Sequence, residues 1–283
     1  MTTVVHSIAD IRATLSAARY AGADVGFVPT MGYLHEGHRS LLRAAVDNSD
    51  TTVVSVFVNP LQFAPTEDLD RYPRDLERDV QMASDEGIDY VFAPSVFEMY
   101  PEPIMTSVHV SGVSEPLEGA SRPSHFAGVA TVVNKLFAIV GQCRVFFGEK
   151  DFQQLAVIRR MVADLSLPIE VVGCPTIREL DGLALSSRNV NLTADARRAA
   201  PVLQRALQAG RDAIARGERD GDEVRRVMRA ILAEEPLVDV DYAEVVDEST
   251  FVVPTPLAGK LRLLVAARLP NARLIDNVGA DAP

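Results

Sequence analysis

Five apolar runs rich in β-branched and aromatic residues punctuate the first 175 positions: DVGFVP, TTVVSVFVNP, DYVFAPS, RVFFG and IEVVGCP. Helix-like segments fall between them. Ser7 to Tyr20 opens with S-I-A-D, a capping-box pattern, and carries apolar residues at helical spacing. Glu36 to Asp47, the acidic amphipathic stretch Asp75 to Glu86, the apolar stretch Ala127 to Val140 and Asp151 to Asp164 read the same way. Thr106 to Val110 alternates briefly and reads as an edge strand or an extended connection. Repeated β-α units have few solutions. They predict an α/β fold, a doubly wound parallel sheet with helices on both faces.

The pattern changes near residue 176. Thr193 to Arg216 and Asp222 to Glu234 read as two helices, and DVDYAEVVD, RLLVAARL and ARLID as three strands. This predicts a smaller C-terminal α+β domain, with the division at 1–176 and 177–283.

A doubly wound sheet binds ligands at the carboxyl ends of its strands. Here VGFVP is followed by TMGYLHEGH, VVSVFV by NPLQF, RVFFG by EKDFQQ, and IEVVGCP by TIRELDGLALSSRN. Polar side chains gather at one strand end after another, which points to a site more firmly than any single motif.

The TMGYLHEGH corner sits where a helix begins. A helix N-terminus has unpaired N–H groups and partial positive charge, so it favours phosphate. Gly32 and Gly37 let a ligand approach the backbone, and His35 and His38, one turn apart, can both donate to phosphoryl oxygens. Zinc proteolysis is the competing use of such a cluster. The H-E-x-x-H signature needs histidines four apart, and these are three apart.

Lys150, in the GEKD turn from Gly148 to Asp151, can neutralise charge building on phosphates. Asp151 can cap the next helix, with Gln154 closing a capping box, or bind a ribose hydroxyl. Ser186, Ser187 and Arg188 in LSSRN can grip phosphates or form a plain polar turn. Asn59, Gln62 and Gln154 are neutral hydrogen-bonders. They can read hydroxyls and a carboxylate, or satisfy local backbone. Arg122 and His125 can bind a carboxylate, order a lid or lie in a solvated loop.

Composition narrows the classes. The formal net charge of -11 argues against a broad nucleic-acid surface. No apolar run approaches the ~20 residues that span a bilayer, and no basic segment leads into an apolar core at the start, so neither membrane insertion nor a signal peptide is expected. Cys143 and Cys174 form no C-x-x-C pair and fit reduced thiols in the cytoplasm. A P-loop, a G-x-G-x-x-G dinucleotide fingerprint and a G-x-S-x-G nucleophile elbow are all missing.

FVPTMGYLHEGH, FVNPLQF, FGEKDFQQ and LALSSRN, in this order along nearly the whole chain, closely resemble the pantothenate synthetase (pantoate–β-alanine ligase) family. The resemblance implies a Rossmann-like nucleotidyl-transfer fold shared with class I aminoacyl-tRNA synthetases. Its HIGH-type motif would be HEGH. SSRN stands where a KMSKS-type loop would, without the lysine pair. It further implies condensation of (R)-pantoate with β-alanine through a pantoyl adenylate, releasing AMP and pyrophosphate.

ATP is then a substrate that carries Mg2+ on its phosphates; no prosthetic group and no protein metal ligand are implied. By the same resemblance, Met31, Gly32, His35, His38, Gly148, Lys150, Asp151, Ile177, Leu185, Ser186, Ser187 and Arg188 would bind ATP. His38, His35, Lys150 and Arg188 would be catalytic, and Gln62, Gln154 and Asn59 would hold pantoate. The C-terminal domain would close over ATP, and the protein would be a cytoplasmic homodimer. A cytidylyltransferase and a nucleotide-binding regulator without turnover are the rival readings.

Overall fold

The computed structural model describes residues 2–63, 69 and 72–283. Its contacts divide the chain into two compact units, Met1–Glu149 with Gln153–Pro175, and Lys150–Phe152 with Thr176–Pro283. The three-residue segment Lys150–Phe152 thus groups with residues that follow it in the chain, a crossing that periodicity does not reveal.

The first unit holds a six-stranded sheet of β1 (Thr3–Val5), β2 (Val25–Thr30), β3 (Thr51–Val56), β4 (Tyr90–Phe92), β5 (Cys143–Gly148) and β6 (Ile169–Cys174). Its order is β1-β4-β3-β2-β5-β6, and every pairing is parallel. From β2 the chain steps outward through β3 and β4, then returns to place β5 on the other side of β2. The order therefore reverses between β2 and β5, and ligands bind at such a switch point. In β2, Val25, Gly26, Phe27 and Val28 are all buried, as expected of a strand covered on both faces.

The helices of this unit are α1 (Ile8–Tyr20), α2 (Glu36–Asp47), α3 (Leu76–Asp85), α4 (Val96–Met99), α5 (Glu118–Ser121), α6 (His125–Val140) and α7 (Phe152–Asp164). The capping residue of α1 is Ser7, whose hydroxyl oxygen accepts from the Asp10 N–H at 3.0 Å. The apolar face of α2, Leu41, Leu42 and Ala45, packs in one core with Val28, Val54, Val91 and Phe146. That packing fixes where α2 begins relative to the end of β2.

Two details depart from the sequence reading, and one open reading is decided. Strand β3 stops at Val56, and the residues up to Pro60 turn away into a 3-10 turn at Pro60–Gln62. Thr106 to Val110 is a connection and not an edge strand: the Val108 N–H donates to Thr131 Oγ1 of α6 at 2.9 Å instead of to a ladder. The edge is supplied by β1, whose three residues are too few to show a period.

In the second unit, α8 (Ala194–Ala199), α9 (Val202–Ala215) and α10 (Gly221–Leu232) accompany an antiparallel sheet of β7 (Asp239–Asp247), β8 (Gly259–Leu269) and β9 (Ala272–Ala282), ordered β7-β8-β9. The expected single helix from Thr193 to Arg216 is broken at Pro201, which lacks an N–H and clashes with the preceding turn. Leu203, Leu207, Met228 and Leu232 form a core with Leu261, Leu263 and Val265. Among the described residues, no helix is long and apolar enough to cross a membrane.

Candidate active site

The turn between β2 and α2 is built backbone first. Gly32 has φ +84 and Tyr33 φ +52, so two successive residues occupy the left-handed region. A β-carbon at Gly32 would stand 2.8 Å from Asp79 Oδ2 and from Val56 Cγ1, so glycine is required for space as well as for φ. Asp79, only 1% exposed, reaches in from α3. Its carboxylate accepts the N–H groups of Tyr33 (2.8 Å) and Leu34 (2.7 Å). Arg78 donates to the Leu34 carbonyl at 3.2 Å and lies over the Tyr33 ring. Burial pushes the Asp79 carboxyl above its ordinary value, and the two backbone bonds pull partly against that shift.

The two histidines then cap the helix with each other's help. His35 is the N-cap residue, and its Nδ1 accepts the Gly37 N–H at 3.1 Å. His38 Nδ1 accepts the His35 N–H at 3.3 Å. This is a capping box in which imidazoles replace the usual hydroxyl and carboxylate. Its chemical consequence is a tautomer. With both Nδ1 atoms accepting, the neutral rings carry their protons on Nε2. The rings stand 4.1 Å apart, centroid to centroid. The corner thus differs from the simple expectation of bare amides for phosphate. Two of its N–H groups are taken by the imidazoles, and each neutral ring has its own N–H at Nε2.

Beside it, the 3-10 turn Pro60–Gln62 orients Gln62. Asn59, 1% exposed, uses its whole hydrogen-bonding capacity. Its Nδ2 donates to Gln62 Oε1 (3.3 Å) and to the Gly128 carbonyl (3.2 Å), and its Oδ1 accepts from Leu61 N–H (3.3 Å) and Tyr100 hydroxyl (2.9 Å). Burial raises the Tyr100 phenol to about 12, so it stays a donor. Gln62 donates through Nε2 to Met31 Sδ at 2.8 Å, and its backbone carbonyl accepts from His125 Nδ1 at 3.2 Å. One amide hydrogen and one lone pair of Gln62 are left by this count. A β-carbon at Gly128 would overlap the Leu61 carbonyl, so α6 approaches this turn only through glycine.

Met31, Gln62, Asn59 and His125 therefore form one network. Arg122 is the half-buried C-cap of α5, and its N–H donates to the Glu118 carbonyl at 2.8 Å. Gln154 is half-buried on α7. Its neighbour Gln153 is 3% exposed and holds the loop before α5 by binding Glu118 N–H, Val113 O and Pro116 O.

In the second unit, a small open cleft is lined by Lys150, Leu183, Ala184, Ser186, Asn189 and Asp276, among others. Lys150 lies in the 3-10 turn Glu149–Asp151, with Nζ 3.8 Å from Asp151 Oδ1. Ser186 caps the turn Ser187–Asn191 by accepting the Arg188 N–H at 3.2 Å. Arg188 is exposed, while Leu185 and Ser187 are half-buried. The Ile177 carbonyl accepts from the Leu185 N–H at 2.9 Å, which ties these two residues together. Gly148 closes β5, with open space where a β-carbon would stand.

Asp79, Tyr100, Gln153 and Gly128 were not picked out from the sequence. Asp79 did leave a signal. It stands four residues before Ala83 on the buried stripe of α3, where a carboxylate is out of place.

A doubly wound parallel sheet with an anion-favouring helix start beside its switch point is the architecture of a nucleotide-handling α/β enzyme. The family can be stated more closely. The chain belongs to the pantoate–beta-alanine ligase family, whose sequence profile matches residues 3–279. It is similar to the pantothenate synthetase of Moorella thermoacetica, at 52% identity over 275 residues covering 97% of each chain. That of Caldicellulosiruptor bescii is 49% identical over 279 residues covering 99% of each.

Among solved structures, the Thermus thermophilus pantothenate synthetase matches with a TM-score of 0.91 at 50% identity, covering 98% of this chain and 99% of that one. The Francisella tularensis pantoate–beta-alanine ligase, solved with beta-gamma ATP and beta-alanine, matches with a TM-score of 0.80 at 31% identity, covering 98% of this chain and 97% of that one.

Proposed function

We propose that this chain condenses pantoate with β-alanine at the expense of ATP, through a pantoyl adenylate. The observation that carries the residue assignment is the imidazole capping box at the start of α2, which sets two Nε2–H donors at the end of β2. Family membership supports the reaction, and the Francisella relative's ATP and β-alanine support the substrates.

In the first step a pantoate carboxylate oxygen attacks the α-phosphorus of ATP. The bond from that phosphorus to the bridging oxygen breaks, and pyrophosphate leaves. In the second, the β-alanine nitrogen attacks the activated carbonyl carbon, the bond to AMP oxygen breaks, and the amine sheds a proton. The first step brings anions together, so donors aimed at the developing charge are worth about 2.7–4 kcal/mol each. His35 and His38 supply two such donors. Pyrophosphate leaves readily, so His38 acts by hydrogen bonding more than by proton transfer.

Lys150, Ser186, Ser187 and Arg188 bind the triphosphate, and Gly148, Asp151, Ile177 and Leu185 frame the nucleotide, with Met31 and Gly32 beside it. Gln62 and Gln154 hold pantoate, and Asn59 acts through the Gln62 amide oxygen that it binds. The nucleotide brings Mg2+ on its own phosphate oxygens, since hard cations prefer oxygen. Closure of the C-terminal unit over ATP and assembly as a homodimer belong to this reading and rest on family resemblance. A cytoplasmic location rests on two buried, unpaired cysteines.

The test is product analysis with MgATP and pantoate, with and without β-alanine. The expected result is enzyme-bound pantoyl adenylate without the amine, and AMP with pantothenate only when all three substrates are present. Intact ATP in every mixture would sink the reading.

A further inference from the structure

Asn277 sits on β9 and is 4% exposed. Its Nδ2 donates to the Lys150 backbone carbonyl at 2.8 Å. Its Oδ1 accepts from Arg262 Nε at 2.8 Å. A guanidinium only donates and a carbonyl only accepts, so the amide has one possible orientation.

Arg262 reaches this position because of the register of two strands. It lies opposite Gly279 in the β8–β9 pairing. A β-carbon at Gly279 would stand 3.0 Å from Arg262 Nη1, so the missing side chain lets the guanidinium lie across β9. Alternation puts Asn277 on the same face as Gly279, within its reach. The same guanidinium is centred 3.7 Å from the Phe152 ring centroid. Two strands of the second unit thus hold Lys150 by its carbonyl and Phe152 by its ring. All these groups lie within that unit.

We propose that Asn277 is a positioning residue for Lys150, with Arg262 locking its amide. The carbonyl bond fixes the peptide plane after Lys150 and so the direction in which its long side chain leaves the backbone. An ammonium on a flexible stem gains transition-state effect only when its base is held. The inference rests on the role given to Lys150 above.

Asn277→Asp removes the contact to Lys150. The carboxylate still accepts from Arg262 and keeps the side-chain volume, but it has no hydrogen to give the Lys150 carbonyl. The assay is single-turnover pantoyl-adenylate formation, run as a double-mutant cycle with Lys150→Ala. The expected result is a loss on the order of tenfold for Asn277→Asp in the limiting single-turnover rate, with little change in the ATP concentration that gives half of it, and no further loss in the Lys150→Ala background. A similar loss in both backgrounds, or none in the first, overturns the proposal. Asn277→Ser, which is too short to reach the carbonyl and adds no charge, repeats the cycle should the aspartate variant not fold. If Lys150→Ala itself turns over at the wild-type rate, the assignment of Lys150 falls first, a different failure from that of Asn277.

Discussion

The capping histidines do two jobs that one substitution can separate. His35 accepts the Gly37 N–H through Nδ1 and donates through Nε2. Asparagine places an oxygen near the Nδ1 position and is among the best N-cap residues, but it has nothing at Nε2. For His35→Asn the cap survives, so stability should stay within about 1 kcal/mol and the melting temperature within about 4 °C of wild type. Loss of one donor to the developing charge should slow adenylate formation by about 10²–10³. His35→Ala loses cap and donor together, adding a stability cost of about 0.5–2 kcal/mol to the same catalytic loss. Thermal unfolding and single-turnover adenylation on the two variants read these effects independently. Wild-type adenylation by a folded His35→Asn variant would refute the donor role, because asparagine keeps the acceptor near Nδ1 and lacks the Nε2–H.

Two further outcomes follow from the supports of the site. Because burial raises the folded-state value of the Asp79 carboxyl, its contribution to stability is largest below the ordinary 3.8 and is lost as pH climbs through the raised value. Asp79→Asn should flatten that part of the curve of unfolding free energy against pH and impair adenylation, since an amide offers one acceptor to two N–H groups; an unchanged curve would contradict the assignment. Gly128→Ala forces a methyl against the Leu61 carbonyl and should cost about 1–3 kcal/mol while raising the KM for pantoate more than that for ATP, as steady-state kinetics would show.

The α/β layering was legible because it rests on local signals. β2, β3, β5 and β6 announce themselves by β-branched and aromatic runs, and α2 begins at Glu36 as its spacing demands. The polar clusters at the strand ends were legible for the same reason, each being a continuous stretch of chain. What escaped lies across space. Asp79 meets Tyr33 from 46 residues away, Tyr100 meets Asn59 from 41, and Asn277 meets Lys150 from 127. Each is a polar residue inside an ordinary helix, loop or strand, and its importance comes from a neighbour that no local window contains. Pro201 is the opposite case. Its effect on the helix is local and was readable, but the apolar period on either side continues through it and masked the break.

The reversal of strand order beside β2 also bears on how the chain is made. The residues of β3 that pair with β2 lie close to it in sequence and leave the ribosome soon after it. Its other edge waits for Gly26 to meet Arg144 and Phe27 to meet Val145, which leave the ribosome much later. During that interval a strand of valine and phenylalanine offers unpaired backbone to whatever strand is nearby, the condition under which nascent chains associate with one another. The carboxyl end of that strand leads into the histidine corner, so a segment left half-paired during synthesis is one on which the finished site depends.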